Sequence, residues 1–156
     1  MLHFFVGLDL GQTTDPTAVA VLERSAPSIY ACRYLKRYPL GTAYTAIVPD
    51  VVSLCNRGPL KGQCTLAVDQ TGVGRPLVEM LRQQPDIPYI VPITITSGHS
   101  TTVQPDGSIH LPKKDLVTCL QLLLQGRTLK VAKELPHAEL LITEMANFRV
   151  KITTAA

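Results

Sequence analysis

The chain has 156 residues, of which 46% are hydrophobic and 17% charged, which fits one globular domain and argues against intrinsic disorder. Its formal net charge of +3 permits a nucleic-acid partner without requiring one, and no apolar run is long enough to span a membrane. With no tryptophan and only 5% aromatic residues, the composition argues against a single-strand-binding surface built on base stacking.

The first forty residues predict three consecutive strands. Residues 3–10 form a short, nearly continuous apolar run, which is typical of a strand buried on both faces. Residues 17–22 are rich in valine, residues 29–38 alternate between apolar and polar, and turn-forming residues separate the runs. Because the runs follow one another closely, we expect an antiparallel meander.

The middle of the chain predicts helices that alternate with strands. Apolar residues recur at helical spacing over residues 44–55, where Pro49 either kinks the helix or begins it. A short apolar strand over residues 64–68 ends at Asp69, and a further helix covers residues 76–83, with proline in its first turn.

The second half predicts a fifth strand and two more helices. Prolines interrupt the strand at residues 87–95, which indicates a position at the edge of the sheet. Turn residues 104–108 predict a small hairpin, residues 112–124 a helix with an apolar face, and residues 129–131 a short strand. Pro136 opens a last helix. This order predicts an α/β, ribonuclease-H-like fold: a mixed five-stranded sheet, part antiparallel meander and part parallel strands, with helices on its faces.

Two aspartates stand at the ends of predicted buried strands. Asp9 lies between two leucines, and Asp69 ends the fourth strand, so each carboxylate is costly there without a partner. In the predicted sheet the first and fourth strands are parallel neighbours about 4.8 Å apart, so the two carboxylates can share a divalent cation. Two such ions activate a water and stabilise the leaving oxygen of a phosphodiester. Each aspartate alone is equally suited to capping the turn that follows it.

Several strings resemble, in order, the nuclease domain of the large subunit of phage DNA-packaging terminases. Residues 6–22 (VGLDLGQTTDPTAVAVL) resemble its first strand and hairpin, and residues 66–81 (LAVDQTGVGRPLVEML) resemble its second acidic motif and helix. Residues 112–131 (PKKDLVTCLQLLLQGRTLKV) and 139–151 (ELLITEMANFRVK) resemble its later elements. The resemblance implies a ribonuclease-H-like fold and Mg²⁺- or Mn²⁺-dependent cleavage of double-stranded viral DNA during genome packaging.

The resemblance also implies roles for three carboxylates. Asp9 and Asp69 match the first and second metal-binding, catalytic acids, and Asp15 matches an auxiliary acid in the turn after the first strand. Asp15 precedes a proline, so an Asx turn explains it equally well. In the family a complete site binds two ions, and the nuclease works beside an ATPase domain and a portal in the cytoplasm of the bacterial host.

One part of the family pattern is missing. The third acid of the family lies in a motif resembling His-Asp-Asp, and this sequence ends at Ala156 without it; Glu144 matches a packing helix instead. The sequence also has no GxxxxGK[ST] motif. We therefore expect residues 1–156 to form a single nuclease domain that lacks the C-terminal end and the ATPase domain of the family and has an incomplete active site.

Three other functions stay open at this point. The string GLDLGQTT also resembles the first phosphate loop of the actin, Hsp70 and sugar-kinase superfamily, but those ATP-binding proteins need two such domains. A Holliday-junction-resolvase-like nuclease uses the same fold and also needs further acids near its C-terminus. A non-catalytic interaction module that keeps the fold and loses the chemistry agrees with the missing third acid.

A few basic residues give weaker hints. Lys113 and Lys114 open a helix, which is the less favourable end for cations and indicates an external anion such as DNA. Lys36 and Arg37 add to a basic surface. His99 lies in a loop that can face a metal cleft, although a lone loop histidine is more often simply solvated.

Overall fold

The computed structural model describes residues 2–11, 14–72 and 74–148. The strands in these ranges are β1 His3–Asp9, β2 Ala18–Ala26, β3 Ile29–Arg37, β4 Cys64–Asp69, β5 Tyr89–Thr96, β6 Thr102–Val103, β7 Ile109–Pro112 and β8 Leu129–Val131. The helices are α1 Tyr44–Cys55, α2 Gly74–Arg82, α3 Lys113–Gln125 and α4 Ala138–Asn147, with a 3-10 turn at Gly58–Leu60. Among the described helices, none is both long and apolar enough to cross a membrane.

All the described strands form one mixed sheet in the order β6-β7-β5-β4-β1-β2-β3-β8. β1, β2 and β3 form the predicted antiparallel meander, and β4 lies parallel to β1 as expected. The α/β fold class is thus confirmed. The five predicted strands occupy adjacent central positions, and the sheet is wider than predicted because the hairpin strands β6 and β7 and the short strand β8 extend it to eight.

The predicted edge position of β5 is wrong, since β5 lies between β4 and β7. Its proline is tolerated for a local reason. β7 pairs with β5 only from Ile93 onward, so at Pro92 the strand has a neighbour on one side alone. The missing N–H of a proline is harmless where no second strand needs it.

The apolar core lies on one face of the sheet. Alternate residues of β1, Phe4, Val6 and Leu8, are buried on this face, and the corresponding residues of β2 and β4 continue it. Helices α1 and α2 cover this face with four buried residues each. Helix α1 begins at Tyr44, so Pro49 lies inside it rather than at its start.

The opposite face of the sheet is covered much more thinly. The predicted apolar face of α3 is not buried: none of its residues is, and Leu122 is 62% exposed. Helix α4 buries only Ala138. The prediction that β1 is buried on both faces is therefore wrong, because its second face opens into a cleft between the sheet and these two helices.

Candidate metal centre

The sheet register brings Asp9 and Asp69 together. Leu8 of β1 pairs with Val68 of the parallel β4, and each aspartate is the next and last residue of its strand. Side chains alternate along a strand, so both aspartates project on the face opposite the buried Leu8 and Val68. Two strand ends at matching height thus place two carboxylates side by side over the thinly covered face.

Asp69 is held by the turn that follows it. The backbone N–H of Thr71 donates a hydrogen bond of 2.8 Å to Asp69 Oδ1. The hydroxyl of Thr71 in turn accepts the backbone N–H of Ile95 at 2.8 Å, which ties this turn to β5. The turn-capping role considered for Asp69 is therefore present, and it fixes one carboxylate oxygen while the other keeps its capacity to bind a cation.

A close backbone approach fixes the start of α2 against Asp69. A β-carbon at Gly74 would lie 2.6 Å from the backbone oxygen of Asp69, a distance that side chains do not reach without displacing something. Only glycine fits the first position of this helix without moving either group. The sequence string that carries Asp69 thus includes the residue that lets α2 pack beside it.

Asp15 comes to the same cleft through a tight loop after β1. A β-carbon at Gly11 would lie 1.8 Å from the backbone oxygen of Asp15, so this loop also requires glycine. The Gly11 N–H donates to the hydroxyl of the buried Thr17 at 3.1 Å and closes the loop. Asp15 itself is exposed, and its Oδ2 accepts a long hydrogen bond of 3.4 Å from the Thr14 hydroxyl.

The three carboxylates interact electrostatically. Partial burial, then the charge of Asp69 and then that of Asp15 raise the pKa of Asp9 above its usual value, while the Leu10 N–H opposes the shift. Asp9 keeps contact with solvent, yet the cleft walls remove enough water to penalise its charge. A cation beside these carboxylates would offset their mutual repulsion and so oppose the rise in the pKa of Asp9.

A cleft of about 650 Å³ surrounds the two aspartates. Small residues form part of its lining, namely Gly7, Ala18, Ala20 and Ala67. Arg37, His137 and Glu144 also line it. Arg37 Nη1 lies 3.7 Å from Glu144 Oε1, and His137 has a φ of 65°, a left-handed conformation that a non-glycine residue seldom adopts.

Sequence reasoning missed two of these cleft residues. Glu144 was expected only to pack, and His137 was not singled out, because both reach the cleft through the docking of α4. The left-handed conformation of His137 cannot be predicted from the sequence. The sequence shows only that His137 follows Pro136, at the start of the predicted last helix. His99 was a weak candidate for the cleft; it contacts Lys114 instead, with Nδ1 3.4 Å from Nζ, and does not line the cleft.

The residues present fit a cation only in part. Within the ranges that the structure describes, no group of three or more His, Cys, Asp or Glu side chains is placed to hold a metal ion. Mg²⁺ is commonly held by one or two carboxylates, with waters and phosphate oxygens completing the shell. Asp9 and Asp69 supply that minimum, so the fit depends on ligands from water and from a phosphodiester.

Comparison with known proteins identifies the fold. No protein-family model and no curated protein matches the sequence. Two solved viral structures are similar. The nuclease domain of the bacteriophage SPP1 large terminase with bound Mn gives a TM-score of 0.59 at 12% identity, covering 93% of this chain and 68% of that one. The Mn-soaked, inhibitor-bound human cytomegalovirus terminase nuclease domain gives 0.56 at 14% identity, covering 96% and 75%.

A third similar structure is more distant. The yeast mitochondrial Holliday junction resolvase gives a TM-score of 0.49 at 10% identity, covering 94% of this chain and 72% of that one, which is too low to argue from. The two viral structures share the arrangement of this chain over nearly its whole length. The chain therefore has the ribonuclease-H-like fold of viral terminase nuclease domains.

Proposed function

We propose that this chain is the metal-dependent DNA endonuclease domain of a phage or prophage packaging terminase. One observation carries the proposal: Asp9 and Asp69 lie side by side at the ends of two adjacent parallel strands, on the fold of viral terminase nucleases. Both similar viral structures were solved with manganese, which supports a divalent cation at a nuclease site of this fold.

In this proposal Asp9 and Asp69 hold Mg²⁺ or Mn²⁺, and Asp15 assists from the loop above. When bound, the ions supply a Lewis acid that lowers the pKa of a water and neutralises charge on the phosphate. Asp69 is already oriented by the Thr71 N–H, so it presents a fixed oxygen. Only the ionised carboxylate of Asp9 binds a cation, so the raised pKa of Asp9 and the cation oppose each other.

The proposed biological setting follows from the resemblance and the fold together. The substrate is double-stranded DNA, and the partners are an ATPase domain and a portal in a bacterial host cell. A complete two-ion site needs a third acid, which the resemblance assigns to a segment beyond the helix that contains Glu144. Two aspartates alone hold one cation more readily than two.

A plasmid-nicking assay tests the proposal. Supercoiled plasmid is incubated with the chain and Mn²⁺, and relaxed and linear DNA are quantified for the wild type, Asp9→Asn and Asp69→Asn. We expect each variant to lose at least about 100-fold in rate, since even the groups that merely orient metal ligands are worth 10–100-fold. Asp86→Asn is the matched control, because Asp86 is an exposed turn residue with a φ of 57° that asparagine also tolerates. Equal nicking by all four proteins would refute the proposal.

A second candidate is a non-catalytic DNA-binding module on the same fold. The observation that favours it is the absence of a three-ligand group among the described residues. The same assay separates the two candidates when a gel shift is run beside it. A wild-type chain that shifts duplex DNA in the gel and never nicks it in Mn²⁺ would favour the binding module over an active nuclease within residues 1–156.

A further inference from the structure

The ends of four strands form one edge of the sheet beside the cleft. β1, β4, β5 and β7 are parallel to their neighbours in turn, so their carboxyl ends lie on the same edge. The antiparallel strands continue this edge, because Asp9 pairs with Ala18 and Ala18 pairs with Arg37. We call this line, from Arg37 through Asp9 and Asp69 to Pro112, the strand-end row.

Positive charge flanks the two aspartates on both sides of the strand-end row. Arg37 ends β3, two strands from Asp9, and it lines the same cleft. Lys113 and Lys114 follow Pro112 of β7, two strands from Asp69 on the other side. Neighbouring strands are about 4.8 Å apart, so each cationic flank starts about 10 Å from the nearer aspartate.

These cations make only weak contacts within the protein. Arg37 and Glu144 are 3.7 Å apart, with side chains 41% and 62% exposed. Exposed ion pairs of this kind contribute little, so an outside anion can displace Glu144. Lys113 Nζ lies 5.8 Å from the centre of the ring of Phe148, which is itself 52% exposed. Among the residues that the structure describes, the hydrogen bond of Lys114 is a long one, with Nζ 3.4 Å from Nδ1 of His99.

Lys36 differs from these residues and is left out of the row. Its ammonium group donates to Asp50 Oδ2, which also accepts the hydroxyl of Tyr38 at 2.6 Å. These three groups thus satisfy one another, and the charge of Lys36 is already neutralised. Arg37, whose ion pair with Glu144 is long and exposed, is therefore the one of these two cations that an anion at the strand-end row can engage.

From this charge pattern we infer that duplex DNA lies along the strand-end row, perpendicular to the strands. Arg37 and the Lys113–Lys114 pair bind backbone phosphates on opposite sides of the phosphodiester that is cut. Cations on both sides of the carboxylates attract the backbone phosphates of a duplex that crosses the centre. This inference rests on the proposed function, since it takes Asp9 and Asp69 as the site of cleavage.

Salt-dependent binding tests the placement of the duplex. A fluorescein-labelled duplex is titrated with the chain in Ca²⁺, without Mn²⁺ or Mg²⁺, and the association constant is followed by anisotropy from 50 to 200 mM salt. Loss of one phosphate contact lowers the slope of log K against log salt by about one, uniformly across DNA sequences. We expect that change for Arg37→Gln and for Lys114→Gln.

Arg82→Gln is the matched control for this measurement. Arg82 is 44% exposed and pairs with Glu79 at 3.0 Å, much as Arg37 pairs with Glu144, but it lies in α2, on the opposite face of the sheet. Its slope is expected to equal that of the wild type. Variants of Arg37 and Lys114 that also keep the wild-type slope would overturn the inference, and so would a wild type that binds no duplex.

The nicking assay keeps the two proposals distinguishable. Nicking that depends on Asp9, together with wild-type salt slopes for Arg37→Gln and Lys114→Gln, supports the endonuclease and excludes the proposed position of the DNA. Reduced slopes without any nicking support the position of the duplex on the strand-end row and favour the non-catalytic DNA-binding module over cleavage at Asp9 and Asp69. Circular dichroism of each variant guards against misfolding, and both side chains are exposed enough for glutamine to be accommodated.

Discussion

At the scale of single residues, Asp9 is the point where stability and the proposed function conflict. Its pKa is raised because burial and two neighbouring carboxylates penalise its charge. An acid whose pKa is higher in the folded than in the unfolded protein takes up its proton first in the folded state. The charged side chain therefore destabilises the fold at neutral pH, and this penalty is lost as the pH falls through the raised pKa.

Asp9→Asn is therefore expected to raise the melting temperature at pH 7.5 in EDTA, because the amide removes the charge and keeps the shape. The gain shrinks as the pH is lowered toward the unfolded value of 3.8, where the wild type is also neutral. Mn²⁺ is expected to raise the melting temperature of the wild type but not that of the variant. Differential scanning calorimetry at several pH values measures both effects.

Asp106→Asn gives a control of opposite sign. The hydroxyl and N–H of Ser108 donate to Asp106 Oδ1 and lower the pKa of this carboxylate. Its charge therefore stabilises the fold above the unfolded pKa, and that contribution is lost as the pH falls. The asparagine variant is expected to melt lower at neutral pH. An Asp9→Asn protein that also melted lower in EDTA would contradict the account of the cleft.

At this scale, the sequence predicted the two strand-end aspartates as site residues but few of the other residues that line the cleft. Asp9 and Asp69 were accessible because an acid at the end of an apolar strand is unusual and the parallel pairing follows from the order of elements. Arg37 was visible only as part of a basic surface. Glu144 and His137 reach the cleft through the docking of α4, and helix docking depends on long-range packing that no local pattern encodes.

At the scale of elements, a glycine at position 74 allows the close backbone contact between α2 and the end of β4. Gly74→Ala would push a β-carbon to within 2.6 Å of the Asp69 backbone oxygen, so either α2 or the end of β4 has to move. Overpacking of this kind costs roughly 1–3 kcal/mol. We expect Gly74→Ala to lower the free energy of unfolding by that amount, measured by urea denaturation, and to reduce nicking together with it.

Gly7→Ala is the matched control in the neighbouring strand. A β-carbon at Gly7 would lie 4.0 Å from the Ala20 backbone oxygen, an ordinary van der Waals distance. Alanine in a strand also loses less backbone entropy on folding than glycine, by roughly 0.5–1 kcal/mol. Gly7→Ala is therefore expected to be neutral or slightly stabilising. Equal destabilisation by both substitutions would show that the close approach at Gly74 has no special role.

The element boundaries show where proline signals mislead. Pro76 suggested the first position of α2, but the helix begins two residues earlier, at Gly74, and proline is tolerated because the first-turn N–H groups need no partner within the helix. Pro136 suggested the start of α4, which begins at Ala138 after the left-handed His137. Proline marks the first turn of a helix without fixing its first residue.

At the scale of the whole molecule, stability resides on one side of the sheet. Leu66 of β4 is fully buried beneath α1 and α2, whereas Leu122 of α3 is 62% exposed. Leu66→Ala is expected to cost about 2–5 kcal/mol of unfolding free energy, and Leu122→Ala less than about 0.5 kcal/mol. Urea denaturation of the two variants measures this contrast. Similar losses at both positions would contradict a one-sided core.

The width of the sheet was only partly accessible to sequence reasoning. The five central strands are marked by apolar or alternating runs, so the meander and the parallel pairing of β1 with β4 were predicted, whereas the edge position predicted for β5 was wrong. β6 has two residues and β8 has three, and strands this short carry no periodic signal. Their inclusion in the sheet depends on the edges that β5 and β3 present, which is a property of the folded molecule.

Anomalous diffraction from Mn²⁺-soaked crystals tests the central claim most directly, because it locates the ion rather than its effects. The account predicts an anomalous peak about 2.1 Å from carboxylate oxygens of both Asp9 and Asp69, absent from Asp9→Asn crystals soaked in the same way. A strong peak bound elsewhere in the molecule, with none between these two side chains, would contradict it.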